Sequence, residues 1–417
     1  MEKSGKFRLT SLERNWILYD VGNSAFVLMV ATLIPIFFNA LAAAGGLSSV
    51  EYLAYWGYAS SAVTIITAVL SPILGTVADT KGFKKPIFIL CVFVGIVGCC
   101  AMGAVSAWLP FLVIFVIAKV GFSGSLVFYD SMLSDVTTPE RMDEVSSRGY
   151  AWGYIGSCVP FVVCLGLVLG AGSIGISQMT ALNLALLLTA AWWLLTTLPL
   201  LKSYKQLYYV EVEKHAVRQS FARIGHTLRH LPEDKQVFWF LLAFFCYIDG
   251  VYTIIDMATA YGTALGLDTT GLLLALLVTQ IVAFPSALIF GRLSNKYPSA
   301  KLIPVCIAAY AGIAVFAFFL TRQWQFWVLA VIVGMFQGGV QALSRSHFAK
   351  IIPPEKSGEY FGLFDICGKG ASFLGTMIVS VGSQLTGSAN VGVGSLIVLF
   401  IVGFVLFRVS CRQGEMA

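Results

Sequence analysis

Residues Asp130-Ser-Met-Leu-Ser-Asp135-Val-Thr-Thr-Pro139-Glu140 return 215 positions later as Arg345-Ser-His-Phe-Ala-Lys350-Ile-Ile-Pro-Pro354-Glu355. Under the same shift Glu144 meets Glu359 and Gly153 meets Gly368. Each coincidence is weak alone, but a run of them in one register marks an internal repeat. Six apolar runs separate the copies, an even number, so both copies cross in the same direction. Parallel copies argue against folds built from inverted five-helix repeats.

The chain around this repeat is suited to lipid. Its 417 residues are 58% hydrophobic and 12% charged, with a mean hydropathy of +0.83, against about 25% charged in a soluble domain. Reading apolar runs of roughly 20 residues as spans predicts twelve transmembrane helices, at 14–40, 51–79, 86–107, 109–135, 146–170, 177–200, 236–264, 268–294, 301–320, 324–349, 358–385 and 391–410. Thr10 and Glu13 have the spacing of a capping box for the first. No cleaved signal is expected, because the first apolar run is long enough to span.

With the N-terminus in the cytoplasm, 24 of the 27 Lys and Arg fall on cytoplasmic segments; Arg322 lies outside, and Lys119 and Lys369 lie within spans. The positive-inside bias therefore puts both termini in the cytoplasm. The net charge of +6 follows this topology and gives no reason to expect nucleic acid. The expected organisation is a bundle at 1–200, a linker at 201–235 and a second bundle at 236–417. In the linker Val212, Val217, Phe221, Ile224, Leu228 and Leu231 recur at near-helical spacing, as in an amphipathic surface helix; a basic tether is the alternative. The nine cysteines are expected as buried fillers. The four histidines are expected in or near loops, which argues against a metal site in the membrane.

The loop Gly75-Thr-Val-Ala-Asp79-Thr-Lys81-Gly82-Phe-Lys84-Lys85 resembles the signature loop of the major facilitator superfamily. That resemblance, with the parallel repeat, implies an all-α membrane protein of two parallel six-helix bundles. In such a loop Gly75 allows close helix approach, Asp79 can cap a neighbouring helix, and the lysines, Lys84 among them, would sit at anionic headgroups. The second copy, Gly291-Arg-Leu-Ser-Asn295-Lys296, is degenerate.

An ionisable group at mid-membrane costs about 3 kcal/mol unless it faces a polar cavity or a partner. Spans one, four, seven, eight, ten and eleven nevertheless carry Asp20 and Asn23; Lys119 and Asp130; Asp249 and Asp256; Gln280; Gln337 and Gln341; and Asp365 and Lys369. Spans three, six, nine and twelve are nearly free of mid-span charge. This partition is what a solute path between bundles requires. Asp20, Asn23, Asp249, Asp256, Gln280, Gln337, Gln341 and Lys369 are candidates for solute binding or proton coupling. The glutamines can equally bridge helices. Gly75, Asp79, Lys84, Asp130, Arg345 and Asp365 are candidate gate or latch positions. Asp365 and Lys369, four apart, can also pair structurally.

The stretches Leu18-Tyr-Asp-Val-Gly-Asn-Ser-Ala-Phe26, Tyr247-Ile-Asp-Gly-Val-Tyr-Thr-Ile-Ile255, Gln337-Gly-Gly-Val-Gln-Ala-Leu-Ser-Arg-Ser346 and Phe361-Gly-Leu-Phe-Asp-Ile-Cys-Gly-Lys369 resemble signatures of one superfamily branch. That branch holds the fungal autophagy-related vacuolar amino-acid effluxers and their bacterial relatives. The resemblance covers essentially the whole chain. It implies a secondary carrier, of amino acids or similar zwitterions. Apart from the resemblance, a monomer is expected, and the buried carboxylates suit coupling to H⁺, the alternative being no coupling ion. Val21-Gly22 stand where the branch has Trp-Ala, and Asp130 and Asp365 stand where it has Asn; two added carboxylates favour a cationic or zwitterionic solute. Compact external loops fit a bacterial plasma membrane. No phosphate-cradling loop supports ATP drive, and no nucleophile–base pair supports an enzyme, so neither a cofactor nor a metal is expected. The alternatives are a proton-linked exporter of amphipathic cations or drugs, and a sensor that binds solute without moving it.

Overall fold

The computed structural model describes residues 7–211, 225, 227 and 229–416, with backbone alone at 49–50, 53, 259–260, 263–264, 269–270, 273, 369–373 and 416. Most of the linker positions read as amphipathic, and the side chain of Lys369, lie outside the described residues. The described residues are almost wholly helical. The first half holds α1 (Ser11–Ala31), α2 (Leu33–Ala44), α3 (Ser49–Ala78), α4 (Lys84–Met102), α5 (Trp108–Ser131), the single turn α6 (Leu133–Val136), α7 (Met142–Leu169) and α8 (Gln178–Ser203). The second half holds α9 (Lys235–Ala264), α10 (Thr269–Leu293), α11 (Ser299–Phe318), α12 (Gln323–Ile351), α13 (Ser357–Thr386), α14 (Ala389–Gly394) and α15 (Ile397–Met416). Among them eleven are long and apolar enough to cross a membrane, counting α1–α2 as one and α14–α15 as one. The thirty-residue α13 is not among the eleven.

Lipid offers no hydrogen bonds, so each crossing satisfies its backbone internally as a helix and the ends need caps. The capping box read from Thr10 and Glu13 forms: the Glu13 N–H donates to Thr10 Oγ1 (3.1 Å) and the Thr10 N–H donates to Glu13 Oε2 (2.7 Å). Ser48 and Glu51 repeat the device on α3. Asp268 caps α10 by accepting the Gly271 N–H at 2.6 Å. The first crossing breaks at Thr32, three residues before Pro35, which lacks the N–H needed to continue the ladder. The α4 helix ends at Met102, short of the expected 107, because Gly103 takes the C-cap. His347, near the end of α12, is buried, with Nδ1 3.2 Å from Oγ of Ser299 at the start of α11.

Helices of the first half pack chiefly on one another (α1 on α7 and α8, α4 on α5), as do those of the second (α9 on α13 and α15, α10 on α12). The two halves meet through α3 on α13 and α7 on α10 and α12. Gly121 permits the α4–α5 contact: a Cβ there would lie 2.7 Å from Gly95 N and 2.8 Å from Cys91 O, both backbone. We predict that Gly121→Ala lowers the thermal midpoint of detergent-purified protein, at a cost of about 1–3 kcal/mol. Gly312→Ala, where a Cβ meets nothing within 4 Å, leaves the midpoint unchanged or raises it. Equal effects of the two would contradict the packing.

Candidate functional site

Two constructions lie between the halves. One is a cavity of about 730 Å³. Its wall runs from Val30 and Trp56, far along their helices from the termini, inward to Asp130, Tyr150 and Phe361. Aromatic and aliphatic side chains make most of the surface. Among the described residues, the charged ones on the wall are Lys119, Asp130, Asp256 and Asp365. Lys119 stands over the Phe122 ring (4.7 Å) and near that of Phe26 (6.0 Å). Asp365 comes from α13 and accepts a hydrogen bond from Ser71 Oγ of α3 at 2.8 Å.

The second construction is a polar seal at the end that carries both chain termini. Arg345 of α12 is its centre. Its guanidinium is buried and reaches into the first half, where Nη1 pairs with Asp130 Oδ1 (2.9 Å) and lies 3.8 Å from Asp20 Oδ2. Its Nε donates to Ser146 Oγ (2.9 Å), its Nη2 to the Ser146 carbonyl (3.0 Å), and the Trp16, Tyr129 and Tyr150 rings surround it. Beside it Lys350 Nζ pairs with Asp143 Oδ2 (2.6 Å), Ser346 donates to Asp143 (2.6 Å), and Asn295 donates to Glu144 (2.8 Å).

The signature loop forms the other flank. Asp79 Oδ1 accepts the Gly358 N–H (2.7 Å) and Oδ2 the Glu359 N–H (2.8 Å), so the carboxylate caps the start of α13, where the helix dipole favours negative charge. Gly75 permits this approach, since a Cβ would lie 2.1 Å from the Gly358 carbonyl oxygen. Lys84 corrects the sequence expectation. It is buried rather than placed at headgroups, donating to Ser357 Oγ (2.9 Å) and Asp135 Oδ2 (3.3 Å), because paired carboxylates inside the seal repay its desolvation.

The expected solute-binding positions divide. Asp256 lines the cavity. Asp20 stands behind it, in the seal. Asn23 is buried and donates to the Tyr19 carbonyl (3.0 Å). Asp249 is fully buried, accepting the Gly375 N–H (2.9 Å) and the Thr253 hydroxyl (3.3 Å), and so joins α9 to α13 away from the cavity wall. Gln280 and Gln337 line a separate chamber of about 60 Å³ within the second half, and Gln341 lies on neither wall. The latch positions Gly75, Asp79, Lys84, Asp130 and Arg345 do come together, while Asp365 lies on the cavity wall. Lys119, noted as a mid-span charge, and Asn295, noted in the second loop copy, were not among the candidate site residues, and neither were Asp143 and Ser146.

Burial pushes the Asp79 carboxyl up to about 7, against the pull of Lys84 and the two N–H groups. Were the seal opened and Asp79 wetted, its value would return to the ordinary range near 4. The sealed form therefore holds the proton more tightly. Its added stability is complete below about pH 4 and is lost as pH rises through about 7. Hydrogen exchange of the Gly358 and Glu359 amides, corrected for intrinsic rate, should thus slow on acidification from about pH 8.5 to 5.5, with the trend abolished in Asp79→Asn. Protection that grows with rising pH would contradict this.

The family model described as "Vacuole effluxer Atg22 like" matches residues 11–416. An MFS-type transporter of Bacillus subtilis, YxiO, is 42% identical over 96% of this chain and 94% of its own length. Autophagy-related protein 22 of Coccidioides immitis is 25% identical over 65% of this chain and 51% of its own length, so this match spans about half the fungal protein. Among solved structures, the human organic anion transporter MFSD10 superposes with a TM-score of 0.72 at 14% identity, covering 95% of this chain and 99% of its own. The MFS transporter FucP gives 0.71 at 16%, covering 96% and 97%. The match along nearly the whole chain, and a bacterial relative alike over its full length, establish that this chain belongs to the Atg22-like effluxer family of major facilitator transporters.

Proposed function

We propose that this chain is a secondary carrier of a small zwitterion, an amino acid by preference, working by alternating access and coupled to H⁺. The observation that carries the reading is the cavity: a mostly apolar chamber whose wall, among the described residues, carries the cation Lys119 and the carboxylates Asp130, Asp256 and Asp365. Lys119 suits a solute carboxylate, the acids suit its ammonium, and the aromatic wall suits an apolar side chain. The fungal relatives' family description as effluxers of the vacuole supports a carrier of this kind.

The proposed topology has twelve crossings, with α13 as the eleventh, in bundles at 1–200 and 236–417 joined by the 201–235 linker. The basic loops favour a cytoplasmic place for the terminus-bearing end, and a bacterial relative favours the plasma membrane. In that orientation the seal closes the cytoplasmic side and the cavity faces out. FucP and a bacterial homologue of ferroportin, both similar in fold, are described as outward. A monomer contains the whole site.

Coupling needs a carboxylate whose surroundings change as the bundles rock. Asp365 fits better than the fully buried Asp249, because Ser71 donates to it from the opposite half. A solute gradient and a proton gradient would then be linked through this residue.

In liposomes, the purified protein should accumulate amino acids under a proton gradient. Lys119→Met should raise KM for zwitterions at least roughly tenfold, the loss of one charge-assisted bond. Asp365→Asn should abolish accumulation while leaving counterflow exchange. If lipophilic cations move and zwitterions do not, the acidic surplus of the wall means a cation exporter. Binding without flux of any solute means a sensor.

A further inference from the structure

We propose that Asp130 is both the partner of Arg345 in the seal and a ligand for the cationic group of the solute, so that a cation entering the cavity loosens the seal at the opposite end. The inference rests on the carrier reading for its biological direction, but its physical content is independent of which zwitterion is carried.

The geometry separates the two faces of this ion pair. Arg345 is 2% exposed and is absent from the cavity wall, whereas the Asp130 side chain is 20% exposed and forms part of that wall. A cation arriving through the cavity therefore meets the acid and not the base. Asp365 stands on the same wall and adds to the attraction.

Arg345 is not stranded by the exchange. Its Nη1 also lies 3.8 Å from Asp20 Oδ2, a buried oxygen with no hydrogen-bond partner of its own. The guanidinium keeps the Trp16 and Tyr150 rings (4.7 and 4.4 Å) and the two Ser146 bonds. Among the described residues, the charged groups that act most on Asp130 are Arg345 from α12, Asp20 from α1 and Asp365 from α13, so that Arg345 is shared among carboxylates. Neutralising Asp130 leaves Arg345 with the more distant carboxylate only. The cross-half pairing becomes weaker without leaving an unpaired buried charge, which a removed partner otherwise would.

The test reads the seal directly, through exchange of the Gly358 and Glu359 amides that Asp79 holds closed. The full chain is used in nanodiscs at fixed pH, with 3-methylbutylamine as a one-charge cationic probe and 4-methylpentanoate as its anionic counterpart. In the wild type the amine should speed exchange several-fold and the acid should not. Asp130→Asn should speed exchange at least roughly tenfold without any probe, and the amine should add nothing further. Asp130→Glu, which keeps the charge, should restore both the protection and the amine response, separating this role from a folding defect. Wild-type protection in Asp130→Asn, or an amine response that survives in it, overturns the proposal. Absence of zwitterion flux in liposomes alongside an Asp130-dependent amine response would overturn the carrier reading alone.

Discussion

A single guanidinium crosses from one half of this molecule into the other, and the rest of the seal is arranged around it. Arg345 and Asp130 are equivalent positions of the internal repeat, 215 apart, and they bond each other at 2.9 Å. A contact between equivalent positions lies on the axis that relates the copies. One copy is acidic there and the other basic, so the self-facing position is an ion pair. Two like residues there would face each other with the same charge or with none. Burial among three aromatic rings strengthens the pairing, because those rings replace water around a delocalised cation.

The same divergence explains the degenerate second loop. In the first copy Asp79 meets the N–H groups at the start of α13, a place where charge is favourable. In the second copy the corresponding Asn295 meets the Glu144 carboxylate at 2.8 Å. An aspartate there would repel; an amide donates. Both copies keep the glycine that allows close approach. A Cβ on Gly75 would meet Gly358 backbone at 2.1 Å, and one on Gly291 would meet Ser147 Cβ at 2.9 Å. What reads as decay in the sequence is a change of partner.

Helices and the capping loop at Asp79 were legible because each follows from local pattern. Apolar runs give spans, Thr10 and Glu13 give a cap, and Gly75 with Asp79 at fixed spacing gives a helix-capping loop. The repeat register also aligned Asp130 with Arg345. Less legible was which mid-span charges face the cavity. Asp249 and Asp256 are seven apart on one helix face, yet one is sealed against α13 and the other lies open to the cavity. Asp249 meets the Gly375 N–H of α13, while Asp256, two turns on, meets the cavity instead. Periodicity reports a face and not the distance at which that face loses its neighbour. Lys84 misled for a related reason: a lysine beside the membrane is ordinarily at headgroups, and it is tertiary partners, Asp135 and Ser357 among them, that draw it inside.

A seal of this composition suits the alternating access proposed above. Buried ion pairs add little net stability, because desolvation cancels most of the attraction. Each neutral hydrogen bond contributes only about 0.5–1.5 kcal/mol beyond what water would supply. The seal is therefore specific in geometry and modest in free energy, and wetting it replaces its bonds instead of leaving them unmade. The far half of the cavity has a different composition, with Val30, Trp56, Phe115 and Phe122 outnumbering the charges. In the alternating-access cycle proposed above, closing that side would rely on apolar burial at about 25 cal/mol per Å², so that roughly 200 Å² offsets about 5 kcal/mol of seal. Two states held by different forces, one polar and one apolar, can lie within the few kcal/mol that a solute or ion is able to shift. Cooling weakens apolar burial while leaving the ion pairs comparatively intact. The resting balance of this carrier fold should accordingly move toward the Arg345-sealed form as temperature falls.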